Sequence, residues 1–336
     1  MSEGLLAADR PLAELFDLAL VDLDGVAYRG HEPIPWASES LVEARRRGMR
    51  TLFVTNNASR SPEVVAEQLT GLDIPTRASD VMTAAQAAAQ LLATRLPRGA
   101  KVLVVGADAL RDAVRAEGYE VVASADEHPD AVAQGFSPDV GWPQLAEAAY
   151  AIAAGAWYVA SNRDLSLPTA RGFAPGNGSL VLAVTSATGV TPDSAGKPEP
   201  TMYQLAIARA GAERTLVVGD RLDTDLAGAR AGGLPGLHVL TGVSTARDDV
   251  LAVARQRPDF VGADLRALLQ PHPAPSRSGD WWACGGSAAR AWDGKLELRA
   301  GGDALDLVRA ACAAAWAAAD DGSPVDPASV PELPVE

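Results

Sequence analysis

Cysteine, histidine and positive charge are all scarce in this sequence of 336 residues. Its two cysteines, Cys284 and Cys312, are too few and too far apart for a disulfide framework or a cysteine metal site. Its four histidines show no metal-ligand spacing. Lysine and arginine total 29 against 43 aspartates and glutamates, a net charge of −14. This balance counts against nucleic-acid or anionic-membrane partners, which require a basic face.

Long apolar runs are also missing. No run reaches the roughly 18 residues that a membrane-spanning helix requires. Residues 1–16 lack the basic segment and apolar core of a secretory signal. We therefore expect a cytoplasmic protein without membrane insertion. Hydrophobic residues make up 48% and charged residues 21%, which favours folded domains with sizeable cores over disorder.

Short apolar runs alternate with helical patterns over most of the chain. The predicted strands cover residues 18–21, 51–54, 101–105 and 215–218, and the helices between them cover 37–47, 62–69, 107–117 and 201–210. Continuous apolar runs are typical of strands buried on both faces, and the spacing suits βαβ units. The pattern predicts an α/β fold with a mostly parallel sheet.

The composition changes near residue 270. A proline-rich segment at 271–280 indicates a linker. Beyond it, residues 281–284, 288–292 and 295–299 are predicted strands, and 303–319 is a predicted helix. Four of the seven tryptophans lie in this last part, so we expect it to bury a substantial face. The acidic, proline-containing tail from Asp320 is expected to be mobile.

Polar side chains follow the predicted strands where ligands bind in parallel sheets, at the carboxyl ends. Asp22 and Asp24 follow the first strand, Thr55 with Asn56 the second, and Asp220 a later one. An ionised Asp22 suits attack on phosphorus, and Asp24 can act first as general acid and then as general base. Carboxylates this close to a phosphate repel it, and Mg²⁺ held by their oxygens removes that repulsion. Lys197 adds a fixed positive charge.

This ordered set resembles the four motifs of the haloacid dehalogenase (HAD) superfamily. The resemblance implies that Asp22 is the nucleophile, Asp24 the acid/base and Thr55 the phosphate-binding hydroxyl. It implies that Lys197 stabilises charge. The metal ligands implied are Asp22, Asp24 through its backbone carbonyl, Asp220 and Asp225, the last more remotely.

Several longer motifs are similar to the 4-nitrophenylphosphatase (NagD-like) branch of that superfamily. They lie at residues 54–60, 160–164, 175–178, 196–200 and 219–225. This branch carries a C2-type α/β cap inserted into a Rossmann-like core. By implication, the catalytic core comprises residues 1–96 and 191–270, the cap 97–190, the linker 271–280 and a small α+β appendage 281–336.

The cap and the loops facing it are expected to choose the substrate. The candidate substrate-binding residues are Thr55, Asn56, Asn57, Arg60, Asn162, Arg163, Asp164 and Leu167. Arg163 stands where many members of the branch have proline, which bears on substrate preference and not on the chemistry. Leu167 offers no charge or donor, and this favours a small neutral leaving group such as a polyol.

The whole chain resembles actinobacterial glycerol-3-phosphate phosphatases, whose C-terminal piece is similar to part of an acetyltransferase (GNAT-like) fold. The resemblance implies a Mg²⁺-dependent phosphomonoester hydrolase acting on a small molecule, with an appendage that has no catalysis of its own. Open alternatives are the same chemistry on phosphoglycolate, a nucleoside monophosphate, pyridoxal phosphate or a sugar phosphate. A phosphotransferase, a non-enzymatic phosphate sensor and a homo-oligomer also stay open.

Overall fold

The computed structural model describes residues 4–169 and 171–335. Its strands are β1 (Leu18–Val21), β2 (Tyr28–Arg29), β3 (Glu32–Pro33), β4 (Arg50–Thr55), β5 (Val81–Thr83), β6 (Lys101–Val105), β7 (Glu120–Val122), β8 (Ala131–Gln134), β9 (Trp157–Ala160), β10 (Ser166–Thr169), β11 (Gly172–Pro175), β12 (Asp193–Ser194), β13 (Thr215–Gly219), β14 (Gly236–Val239), β15 (Phe260–Gly262), β16 (Ser276–Ser278), β17 (Trp281–Cys284), β18 (Ser287–Trp292) and β19 (Lys295–Arg299).

Its α-helices are α1 (Leu12–Leu15), α2 (Ala37–Arg46), α3 (Pro62–Gly71), α4 (Ala84–Leu92), α5 (Asp108–Ala116), α6 (Trp142–Ala153), α7 (Asn177–Thr188), α8 (Thr201–Ala210), α9 (Ala227–Ala231), α10 (Ala246–Val250) and α11 (Ala304–Asp320). A π-helical turn at Leu222–Leu226 precedes α9. Among the described helices, none has the length and apolar character needed to cross a membrane.

The chain divides into two compact units. The first comprises residues up to Phe53, Gly71–Ile74 and the chain from Ile207 onward. Its parallel sheet has the strand order β15-β14-β13-β1-β4. Every residue of β1 and β13 is buried. Strands buried on both faces are mostly apolar, because a polar side chain there would lose its water. The apolar runs therefore end at the carboxyl edge of the sheet, where the first polar residues of the strand-end loops follow.

The C-terminal segment belongs to this first unit and forms an antiparallel sheet, β16-β17-β18-β19, against which α11 packs. Its predicted strands and helix agree with β17, β18, β19 and α11. The segment predicted as a linker contains β16, which pairs with β17. The expectation of a mobile tail was wrong, because Val325 and Val330 are buried in the apolar cluster that α11 shares with the parallel-sheet part.

The second unit comprises Val54–Thr70 and Pro75–Ala206. Its own parallel sheet has the order β12-β9-β8-β6-β7, with α6 and α7 packed against each other. The antiparallel hairpin β10–β11 precedes α7. The mixed α/β class with mostly parallel sheets, predicted from the alternation of apolar runs and helical patterns, is confirmed.

The two cysteines are free, buried and poor nucleophiles. Burial, assisted by nearby Asp306, raises the pKa of Cys284 to about 12, and burial raises the pKa of Cys312 well above its ordinary value. The reactive thiolate is therefore scarce at neutral pH. We expect iodoacetamide at pH 8 to label neither thiol in the folded protein and both in urea, as read by mass spectrometry. Rapid labelling of either thiol in the folded protein would contradict this packing role.

Candidate active site

Three carboxylates converge in the first unit. Asp22, Asp220 and Asp225 each offer an oxygen, and these oxygens lie within 4.8 Å of one another. Asp220 and Asp225 are each 1% exposed, whereas Asp22 is half-buried. Three negative groups this close repel one another strongly in a poorly solvated place, so the arrangement calls for a cation.

The parallel sheet explains why distant residues meet here. β1 and β13 are neighbours in register, with Val21 opposite Val218, so Asp22 and Asp220 leave adjacent strands at the same edge. The backbone N–H of Asp22 donates to the carbonyl of Val218 at 2.9 Å and extends the strand pairing to this residue. Asp225 reaches the same place from the π-helical turn that follows β13.

Two glycines make room for the Asp220 carboxylate. Gly25 has φ +85°, and a Cβ atom there would lie 2.5 Å from Oδ2 of Asp220. A Cβ atom at Gly242 would lie 1.9 Å from the same oxygen. The backbone N–H of Val243 donates to Oδ2 at 2.7 Å. Larger residues at either glycine would displace the carboxylate, so the loops are shaped around it.

This donor set fits Mg²⁺. The ion prefers hard oxygen ligands and is commonly bound through carboxylates, water and substrate phosphate. The three converging carboxylates offer such oxygen ligands. Gly25 and Gly242 leave room for the Asp220 carboxylate, and the N–H of Val243 holds it in place.

Asp24 lies apart from this group. Its side chain is exposed, and its Oδ1 accepts from the backbone N–H of Gly30 at 3.4 Å. The neighbouring N–H of Gly25 donates to the carbonyl of Tyr28 at 2.7 Å, which closes the turn after β1. The side chain of Asp24 is therefore accessible for proton transfer, and its use as a metal ligand through the backbone stays a prediction.

A buried histidine–aspartate pair contacts the backbone of Asp220. His238, on β14, places its Nδ1 2.9 and 2.8 Å from the two carboxylate oxygens of Asp249. Its Nε2 lies 3.1 Å from the backbone carbonyl of Asp220. Burial opposes a charge on the ring, but the Asp249 carboxylate and the Asp220 carbonyl outweigh it and raise the pKa of His238. No pattern in the sequence identifies Asp249 as the partner of this histidine.

In the second unit, Thr55 ends β4 and is buried. Its Oγ1 accepts from the backbone N–H of Asn57 at 3.1 Å. Oδ1 of Asn57 accepts in turn from the N–H and the hydroxyl of Ser59, both at 2.8 Å. These turn contacts fix the loop and leave the Thr55 hydroxyl hydrogen for an acceptor such as a phosphoryl oxygen.

Asn56 is the centre of a polar network in the second unit. Its Oδ1 accepts from the backbone N–H of Lys197 at 2.8 Å, and its Nδ2 donates to the Lys197 carbonyl at 3.0 Å. Nδ2 also lies 3.1 Å from Oδ2 of Asp164. Asn162 donates from Nδ2 to the Asn56 carbonyl at 2.7 Å, and its Oδ1 accepts from the N–H of Asp164. The amide of Asn56 therefore holds the Lys197 loop.

The other predicted site residues of this unit also have defined places. The Lys197 side chain is 3% exposed, and its Nζ lies 3.4 Å from the carbonyl of Val54. Arg163 pairs with Glu199 at 2.5 Å. Arg60 donates to the carbonyl of Val64 at 3.5 Å. Leu167 is half-buried in the β10–β11 hairpin.

Asn177 and Glu199 contact predicted site residues but were not themselves predicted from the sequence. Asn177 donates from Nδ2 to the carbonyl of Asn162 at 2.8 Å. The motifs that carry Asn177 and Glu199, at 175–178 and 196–200, were the only signal in the sequence that could have pointed to them.

Comparison with known proteins assigns the class. The chain matches the haloacid dehalogenase-like hydrolase family over residues 19–120 and a HAD-hydrolase-like family over 194–268. Residues 284–331 match a GCN5-related N-acetyltransferase-like domain. The chain belongs to the haloacid dehalogenase-like hydrolases.

Among its relatives is the D-glycerol 3-phosphate phosphatase of Mycobacterium tuberculosis, 46% identical over 314 residues, covering 92% of this chain and 88% of the relative. A crystal structure of the glycerol phosphate phosphatase of that organism in complex with magnesium has a TM-score of 0.85, covering 92% of this chain and 92% of that one. The 4-nitrophenylphosphatase of Thermotoga maritima is 29% identical with a TM-score of 0.71, covering 77% and 98%. The predicted HAD membership, the NagD-like branch and the GNAT-like appendage are confirmed, as is the prediction of a phosphoric monoester hydrolase.

Proposed function

We propose that this protein is a Mg²⁺-dependent phosphatase that hydrolyses glycerol 3-phosphate through an aspartyl-phosphate at Asp22. The observation that carries the chemistry is the convergence of Asp22, Asp220 and Asp225 at the carboxyl edge of the first unit's sheet. The substrate is supported by the relative from M. tuberculosis, which is 46% identical over 314 residues and bears that substrate in its name.

In the first unit, the carboxylate of Asp22 attacks phosphorus, and the bond from phosphorus to the glycerol oxygen breaks. Asp24, exposed on the turn after β1, donates a proton to the leaving oxygen. It then takes a proton from the water that attacks the aspartyl-phosphate, which releases inorganic phosphate and restores Asp22. Bound Mg²⁺, for which we propose Asp22, Asp220, Asp225 and the carbonyl of Asp24 as ligands, supplies positive charge to the phosphoryl oxygens.

In the second unit, we assign phosphoryl-oxygen binding to the Thr55 hydroxyl and the Lys197 ammonium group. Both assignments rest on the family motifs and are supported by the contacts that hold these residues. The turn at Asn57 orients the Thr55 hydroxyl, and Asn56 clamps the Lys197 backbone on both sides. Positive charge that is fixed before the reaction needs no rearrangement as negative charge develops on the phosphoryl oxygens.

Leaving-group recognition is assigned to the second unit as well. The candidates stay Asn56, Asn57, Arg60, Asn162, Arg163, Asp164 and Leu167. We also keep the division into a core (1–96 and 191–270), a cap (97–190), a linker (271–280) and an appendage (281–336) as a proposal. Action in the cytoplasm, the lack of a nucleic-acid partner and assembly into a homo-oligomer stay predictions from the sequence.

A sugar phosphate is the second candidate substrate. The acid sugar phosphatase of Staphylococcus aureus is 37% identical over 231 residues, covering 68% of this chain and 88% of the relative. This relative supports the same chemistry with a different leaving group.

The test is a panel of phosphomonoesters assayed for kcat/KM with Mg²⁺ present and after removal of metal by EDTA. It includes glycerol 3-phosphate, sugar phosphates, phosphoglycolate, a nucleoside monophosphate and pyridoxal phosphate. We expect glycerol 3-phosphate to rank first, EDTA to abolish turnover and Mg²⁺ to restore it. Measuring free phosphate beside phosphate transferred to added alcohols separates a hydrolase from a phosphotransferase. A sugar phosphate in first place would overturn the substrate, and undiminished turnover in EDTA would overturn the metal.

A further inference from the structure

Three hydrogen bonds connect the C-terminal helix α11 to the backbone of Asp220. The indole N–H of Trp316, on α11, donates to the carbonyl of Asp249 at 2.9 Å. The Asp249 carboxylate binds Nδ1 of His238 at 2.8 and 2.9 Å, and Nε2 of His238 lies 3.1 Å from the Asp220 carbonyl. Trp316 is 2% exposed, and His238 and Asp249 are fully buried, so water does not compete for any of these contacts.

His238 is held at both ring nitrogens. The Asp249 carboxylate lies against Nδ1 and the Asp220 carbonyl lies against Nε2. The rigid ring therefore ties α10, which carries Asp249, to the first residue after β13.

Other hydrogen bonds also hold Asp220, at its backbone carbonyl and at its carboxylate. The Asp220 carbonyl also accepts from the N–H of Ser244 at 3.1 Å, and Oδ2 accepts from the N–H of Val243 at 2.7 Å. The hydroxyl of Ser244 accepts from the N–H of Leu222, at the start of the turn that carries Asp225. The position of the Asp220 carbonyl therefore bears on both carboxylates of that loop.

The far end of the connection is firmly held. Trp316 lies in an apolar cluster that also contains Leu222 and Leu226, from the turn that carries Asp225, and Val250 of α10. The guanidinium of Arg257 lies 5.2 Å from the indole centroid and makes two hydrogen bonds, at 2.7 and 2.8 Å, to the carboxylate of Asp320 at the end of α11. These contacts give the indole N–H little freedom to leave Asp249.

We propose that Trp316, Asp249 and His238 are positioning residues that hold Asp220 in place for the divalent cation, and that the appendage is thereby part of the metal site's support. This inference rests on the proposed function, because it takes Asp220 as a ligand of Mg²⁺. Groups that hold metal ligands commonly change metal affinity by 10- to 100-fold when they are altered.

The sharpest test is Asp249→Asn, which preserves the shape of the side chain. The asparagine amide still hydrogen-bonds Nδ1 of His238, but a charge-assisted hydrogen bond becomes a neutral one of about half the strength. The ring then holds the Asp220 carbonyl less firmly. We expect the Mg²⁺ concentration for half-maximal activity to rise about 10- to 100-fold. At saturating Mg²⁺, kcat should largely recover.

Metal affinity is also measured without turnover, by calorimetric titration with Mg²⁺ and by the electron paramagnetic resonance of added Mn²⁺. Asp248→Asn is the matched control, because it removes the same charge from the adjacent, exposed residue. Trp316→Phe retains the ring and removes the N–H, and we expect a rise of about two- to tenfold in the Mg²⁺ requirement. Trp281→Phe is its control within the appendage. The Trp316→Phe variant gives the answer even where Asp249→Asn does not fold.

The outcomes separate the two proposals. Wild-type activity that ignores Mg²⁺, or an Asp220→Asn variant that binds Mg²⁺ like the wild type, would overturn the proposed function. Loss of Mg²⁺ binding in Asp220→Asn, together with wild-type binding in folded Asp249→Asn and Trp316→Phe, would overturn only the positioning role. Weakened binding in both test variants and in neither control would support it.

Discussion

Asp22→Asn should lower kcat for any phosphomonoester by at least about 10⁴-fold, because it removes the proposed nucleophile and leaves the rest of the site in place. Asparagine has the same shape, and the backbone N–H at this position still donates to Val218. The substitution also removes one of three mutually repelling carboxylates, so the metal-free protein should unfold at the same temperature or higher. Single-turnover assays and a thermal melt measure both effects.

The control for this substitution is Asp223→Asn. Asp223 lies in the same loop as Asp225, but its carboxylate is exposed and paired with Arg221. We expect this variant to retain near wild-type turnover, which shows that charge removal near the loop is not itself harmful. Asp24→Asn should instead slow both the formation and the hydrolysis of the aspartyl-phosphate, because it removes the proposed proton donor and acceptor and leaves Asp22 in place. Turnover close to wild type in folded Asp22→Asn would remove Asp22 from the chemistry.

The proximity of Asp22 and Asp220 could be predicted from the sequence because it follows from local patterns. A buried apolar run shows where a parallel strand ends, and neighbouring parallel strands end at one edge, so Asp22 and Asp220 had to be near each other once their strands were paired. Strand ends do not predict which residues surround the carboxylates. Gly242 leaves room for the Asp220 carboxylate and Val243 donates a hydrogen bond to it, but their loop carries no reactive group and no distinctive spacing.

Asn56 shows a different limit. Its place after a strand made it a candidate substrate-binding residue, and both ends of its amide bind the Lys197 backbone, 141 residues further along the chain. Nothing in a single sequence identifies such a pairing, because a backbone group is present at every residue. The burial of the tail could not be predicted either. Val325 and Val330 are isolated valines among prolines and acidic residues, without the periodicity that indicates a packed element.

The appendage provides the second large effect, this time on stability. Trp316→Ala should lower the free energy of unfolding of the first unit by about 3–5 kcal/mol, because the indole is 2% exposed and its removal leaves a cavity in the cluster shared by α11 and the π-helical turn. It also leaves the Asp249 carbonyl without the indole N–H and the Arg257 guanidinium without its ring partner. The midpoint of thermal unfolding should fall by about 10 °C.

Urea and thermal unfolding in EDTA measure this loss, since the absence of metal keeps cation binding from adding to the stability of either protein. Trp292→Ala is the matched control, because Trp292 belongs to the same appendage but is 54% exposed, and its loss should cost less than about 1 kcal/mol. Equal losses from the two substitutions would show that the appendage folds without stabilising the sheet that carries Asp22 and Asp220. A large loss confined to Trp316→Ala would mean that the first unit depends on α11 for the packing of the turn that carries Asp225.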